Sequence, residues 1–173
     1  MLQFHPSLLL ALFAVIGGVS KAHGDSIEAS KATKNIRVSA VKLSDKTPEV
    51  RLQAARTLRE LVKGIESETE LKLILSPLVN AMLNDQSAKV RENARFALRD
   101  ALSKVEDNAA LVPVAESLLG GLKHKDVTIR AHCAHDLSNG VVGKIDDAKA
   151  LQRMLGRLTV ATLHAESMEA ADF

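Results

Sequence analysis

The sequence predicts an all-α protein, a short α-solenoid of stacked helix pairs, and two observations carry that expectation. The first is a helical stripe. Over residues 85–102, Val90, Ala94, Ala97, Leu98, Ala101 and Leu102 recur three and four positions apart, which makes one apolar face on an α-helix, and the intervening Lys, Arg, Glu and Ala are strong helix formers. The second is repetition. The pattern returns upstream over 45–58 and downstream over 126–137, with Arg51 and Arg91 standing 40 positions apart and Arg91 and Arg130 standing 39 apart. A period of about 40 residues suits a two-helix unit, and such a unit buries its apolar face only against a neighbour.

Taken in order, residues 1–22 read as a secretory signal. Residues 7–19 form an uncharged apolar run, too short to span a ~30 Å hydrocarbon layer comfortably. Ser20-Lys21-Ala22 then gives the small-any-small pattern that a signal peptidase reads. The expectation is an exported protein, periplasmic or secreted, with a membrane anchor through residues 7–19 as the alternative. Residues 23–35 are a polar, flexible lead, and 36–166 form the repeat domain. Its units cover about 27–64, 67–104 and 107–140, followed by a capping helix over 146–166 and a frayed tail at 167–173.

The first helix, 27–43, carries an alternating Ile36, Val38, Ala40 that resembles a strand. It is assigned as helix because no other segment offers a strand partner. Thr47-Pro48 starts the next helix, and Gly64 ends it in a left-handed cap. Ser67-Glu68-Thr69-Glu70 is a capping box opening a helix over 68–83, which Pro77 should kink. The helix 88–104 follows, with Ser87 and Asp85 available as caps. Asp107 caps a helix to about Lys123 with Pro113 in its first turns, and 127–139 ends at Asn139-Gly140. Asp146 or Asp147 opens the last helix, with Leu151, Leu155 and Leu158 on one face.

Composition narrows the function. The 23 basic and 21 acidic residues leave a net charge of only +2, too little field to suggest nucleic acid or an anionic membrane. Trp and Tyr are absent, and of four Phe only Phe96 lies within the repeats, so the stacking platforms of oligonucleotide and sugar readers are missing. The single Cys133 excludes an internal disulfide. No nucleophile motif, phosphate loop or His-Glu-x-x-His set is present, so no catalytic residue and no cofactor is assigned.

Asp45/Arg51 and Asp85/Arg91 at a common spacing, Ala54/Ala94/Cys133, Leu58/Leu98/Leu137 and the prolines Pro77 and Pro113 together resemble the HEAT-repeat family, an armadillo-like helical repeat. The third unit departs, since Asp126 precedes Arg130 by two residues fewer. The resemblance implies a structural ladder of Asp45, Arg51, Asp85, Arg91 and Arg130 holding the units in register. It also implies a binding surface on the second helix of each unit.

With Val50, Val90 and Ile129 as equivalent inward pegs, a turn of 100° per residue gives three outward tracks: Gln53, Asn93 and His132; Arg56, Phe96 and His135; Glu60, Asp100 and Asn139. Phe96, an aromatic between Arg and His, is the candidate anchor for a partner helix or peptide. The leading reading is a non-enzymatic scaffold that binds another protein or peptide. It takes no nucleic acid and meets a membrane only through an uncleaved N-terminal segment. The alternatives are a metal- or ligand-binding protein, with His132 and His135 as weak zinc candidates, and a bilin-lyase-like helical-repeat enzyme.

Overall fold

The computed structural model describes residues 31–156. The chain divides into two compact units, Met1–Asn35 and Ile36–Phe173, and the architecture below is that of the second. The described residues are helical throughout, with no strand among them: α1 (helical over 31–42), α2 (Pro48–Gly64), α3 (Glu68–Asn84), α4 (Ala88–Lys104), α5 (Asn108–Gly121), α6 (Val127–Asp136), and α7 (helical over 148–156). A π-turn, Leu137–Val141, and a 3-10 turn, Val142–Lys144, separate α6 from α7. These helices pack on one another as a short helical solenoid, in which α2, α4 and α6 are the second helices of successive units.

One apolar interior runs through the stack. Ala54, Ala55, Leu58 and Val62 of α2 are buried, as are Val90, Ala94, Ala97, Leu98, Ala101 and Leu102 of α4. Small residues at these positions let helix backbones approach closely, while the leucines fill the space between. Cys133 follows Ala54 and Ala94 in register and is fully buried, so it acts as a small core residue. Val90 and Ile129 point inward, but Val50, at the same position in the first turn of α2, is only half-buried.

α1 is a helix despite its alternating pattern: Ile36, Ser39 and Leu43 form the inward stripe, and Val38 and Val41 face out. Gly64 is the last residue of α2 in ordinary helical conformation. The chain leaves through Ile65 in an extended conformation, and no glycine among the described residues has positive φ. α3 continues through Pro77 and α5 through Pro113 as single helices. The last helix turns Ala150 and Met154 inward, whereas Leu155 is 63% exposed, so the stripe expected from Leu151 and Leu155 is rotated. Leu158 and residues 1–30 lie outside the described residues.

The starts of the second helices share a turn design, and Asp107 and Asp126 cap α5 and α6 through their own side chains. Thr47, Ser67 and Ser87 occupy N-cap positions, yet their side chains make no capping bond. Two residues earlier, Asp45 accepts from the Thr47 N–H and Asp85 from the Ser87 N–H, each at 2.8 Å. Glu68, in the first turn of α3, accepts from the Glu106 and Asp107 N–H groups of the next unit. An arginine then closes each turn: Arg51 Nη1 donates to the Asp45 and Lys46 carbonyls, Arg91 to Asp85 and Gln86, and Arg130 to His124 and Lys125. The third turn is therefore not shortened. His124 stands where the aspartate stands in the others, its Nδ1 accepting from the Asp126 N–H at 3.0 Å.

Candidate partner-binding face

Two seams join the second helices. At the first, Arg51 Nε and Nη2 donate to both oxygens of Asp85, at 2.6 and 3.1 Å. That carboxylate raises the Arg51 pKa above its ordinary value. At the second, Arg91 reaches Asp126 at 3.6 Å. Asp126 also accepts from the Thr128 N–H, and that bond is the chief reason its carboxyl titrates below the ordinary range. A lysine spans each seam: Lys104 Nζ donates to the carbonyls of Val62, Lys63 and Ile65, and Lys144 Nζ repeats this on Leu102, Ser103 and Val105. A cation at a helix C-terminus satisfies orphan carbonyls and complements the negative end of the dipole.

On the outer side of these seams, Phe96 is half-buried, and two guanidinium groups lie over its ring. The Arg59 carbon is 4.5 Å from the ring centroid and that of Arg99 is 5.3 Å away. Both distances are within cation–π range. Arg59 Nη1 donates to Asn93 Oδ1 at 3.4 Å, and Arg99 lies 3.8 Å from Asp100. A third arginine, Arg95, reaches from α4 to α6. It donates to both oxygens of Asp136, at 3.3 and 3.2 Å, and lies 3.4 Å from His135 Nδ1. Next to this pair a pocket of about 160 Å³ opens over Leu102, rimmed by Arg99, Ser103, His135, Asn139 and Lys144.

Five of the nine sequence-predicted face residues (Asn93, Phe96, Asp100, His135 and Asn139) thus belong to one strip across α4 and the α6 end, joined by Arg59, Arg95 and Arg99. The other four stand apart from it. Gln53 and Arg56 are exposed on α2, and Glu60 is held by Lys63 at 2.7 Å. His132 is half-buried, and burial pushes its pKa below 6.5.

The arginines escaped the sequence reading because each sits one helical step from the tracks and reaches them through a long side chain. Asp136 escaped as well. It occupies the helix position of Ala97, and the Arg95 fork, with His135 beside it, makes a buried carboxylate tolerable there. Asp45, Arg51, Asp85, Arg91 and Arg130 lie at the turns and seams described above, and Asp126 joins them. Among the described residues no group of three His, Cys, Asp or Glu side chains could hold a metal ion. His135 turns its Nδ1 to Asp136 at 3.1 Å. The Cys133 thiol is pushed up to about 12, first by burial and then by Asp136.

A helical-repeat stack with ion-paired seams defines a HEAT-like helical-repeat protein. A family model, that of the non-SMC mitotic condensation complex subunit 1, matches residues 33–170, and the chain belongs to that family. No curated protein and no solved structure matches the chain. The match agrees with a HEAT-like helical repeat at the level of the fold, in a family of complex subunits rather than enzymes. It corrects the expected export. A mitotic condensation subunit points to an intracellular, chromosomal location, and the apolar run at 7–19 that suggested a signal peptide or anchor lies outside the described residues. Among the described residues no helix is long and apolar enough to cross a membrane.

Proposed function

We propose that this chain is a non-enzymatic assembly module of a mitotic condensation complex and binds a segment of another subunit across its second-helix face. The observation that carries the reading is Phe96, the one aromatic within the repeats, kept half-accessible between Arg59 and Arg99 instead of in the apolar interior. Aromatic and arginine side chains dominate interface hot spots because they bring large contact area and several directed donors. The paired seams hold α2, α4 and α6 in fixed register, so the strip is presented on rigid elements. The test is recovery of the complex's other subunits on tagged wild-type protein, Phe96→Asp and Arg56→Glu, with helicity checked by circular dichroism. Phe96→Asp should lose most of the recovered subunits, with a smaller loss for Arg56→Glu at the exposed edge. Unchanged recovery with Phe96→Asp would remove the face from consideration.

A further inference from the structure

We infer that the segment seated on this face is acidic, with carboxylates placed between Arg59 and Arg99 and one acidic side chain entering the pocket above Leu102. The inference rests on the binding face proposed above and adds the chemistry of its occupant. Arg59 is met by a neutral amide, Asn93, and by the Phe96 ring, while the nearby Glu60 carboxylate goes to Lys63. Arg99 keeps half of its side chain exposed, and its one carboxylate contact, Asp100, is at 3.8 Å. Arg95 differs, because its fork is filled by Asp136. The strip therefore offers two guanidinium groups over one aromatic ring, neither of them in a carboxylate fork like that of Arg95.

The pocket continues the pattern. Leu102 lines it with apolar surface, Arg99, His135 and Asn139 bring donors, and the one carboxylate in the lining, Asp136, is already held by the Arg95 fork. A glutamate or aspartate could lay its methylene groups on that surface and its carboxylate against those donors. Lys144 is already engaged with three carbonyl oxygens, so it supplies field rather than a bond. A peptide with a few carboxylates is favoured over a nucleic acid backbone because the whole chain carries only +2, too little field to hold a continuous phosphate chain.

The experiment uses the full chain and fluorescence anisotropy with three labelled twelve-residue peptides, each with two central leucines flanked by alternating alanine and either glutamate, glutamine or lysine, plus a short DNA duplex. The glutamate peptide should bind best and weaken as salt rises. Arg59→Glu and Arg99→Glu should each cut that binding about tenfold, a typical scale for a close interfacial charge. Arg59→Lys and Arg99→Lys should keep most of it, which separates loss of charge from loss of fold. Four results would each overturn the inference: equal binding of the glutamine peptide, tighter binding of the lysine peptide or the duplex, indifference to both Arg→Glu changes, or no binding of the glutamate peptide. The two proposals fail differently. If Phe96→Asp loses the partner subunits while both Arg→Glu variants keep them, the face stands and its acidic preference falls. If all three variants keep them, the face itself falls.

Discussion

The seam between α2 and α4 and the seam between α4 and α6 share one plan, yet the second carries an extra arginine–aspartate pair where the first has two alanines. Both have an arginine closing the turn, an arginine–aspartate contact across units and a lysine on the carbonyls of the preceding helix. The differences lie inside. Ala55 and Ala97, both fully buried, are replaced in register by Arg95 and Asp136. The turn aspartate becomes His124, and α6 gives way early to a π-turn in which the Val142 N–H bonds the Leu137 carbonyl. Repeats thus keep the contacts that set register and vary what fills the interior between them. An interior held by one ion pair should also be more sensitive to losing a partner than one filled with alanine.

The largest expected effect follows from that contrast. Arg95→Ala leaves the Asp136 carboxylate buried without its fork and should cost about 3–5 kcal/mol in urea unfolding. Combining Arg95→Ala with Asp136→Ala installs the residues of the first seam. This double variant should be more stable than Arg95→Ala alone, with a coupling above about 1 kcal/mol. A double variant no more stable than the single would deny that the ion pair is what distinguishes the seams.

The next effect tests how tightly α5 packs against α6 beside the second seam. A Cβ on Gly121 would run into Cys133 Sγ and lie 2.7 Å from Leu83 Cδ2, whereas one on Gly120 meets nothing within 4 Å. Gly121→Ala should lose about 1–3 kcal/mol by overpacking. Gly120→Ala should gain up to about 1 kcal/mol from helix propensity. Thermal melts of the two variants give the comparison directly, and a shift in the same direction for both would contradict the close approach of α5 and α6.

The two lysines ask whether the shared part of the plan is worth the same at both seams. Lys104→Met and Lys144→Met each remove a cation from three carbonyl oxygens. Each should cost about 1–2 kcal/mol, the range for hydrogen bonds to charged groups. Similar losses in paired denaturation curves would mark the clamp as a common element, and a loss at only one seam would restrict it to that seam.

The smallest effect is a pH dependence confined to the second seam. The folded pKa of His132 lies below 6.5, first through burial and then through Arg95, with Asp136 and Asp126 acting the other way. A depressed folded pKa means the unfolded chain binds the proton more readily. The contribution is therefore present above about 6.5 and is lost as pH falls through the lower folded value. Urea midpoints at pH 7.5 and 5.5 should differ less in His132→Gln than in the wild type, and an unchanged difference would refute the assignment. Asp107 and Asp126, both held below 3.8, add their own loss of stability only at more acidic pH.

Much of this architecture was legible in the chain. The spacing of Val90, Ala94, Leu98 and Ala101 placed α4 at its observed bounds, and the repeat of Arg51, Arg91 and Arg130 marked the turns. Phe96 was identifiable as the odd residue on a polar track. The pairing of Arg59 and Arg99 with it was not, because long side chains reach beyond the 100° positions of their own Cα atoms. Capping was misread for a related reason. Ser67 and Thr47 have the right residue types, but the Thr47 N–H is bonded by Asp45 two residues upstream, and Glu68 caps the start of α5 some 40 positions on, which local spacing does not reveal. The apolar run at 7–19 misled about location because its composition resembles an export signal, whereas the family match reports the pattern of the repeats.

By itself the sequence determined the helices, their period and the single apolar stripe each must bury, since propensity and 3.6-residue periodicity are properties of a local stretch of chain. Only the tertiary structure decided that Arg95 neutralises Asp136 and that Lys104 and Lys144 finish the helices before them. Those choices depend on groups some 40 positions apart meeting at distances near 3 Å, a condition that folding sets and no local window records.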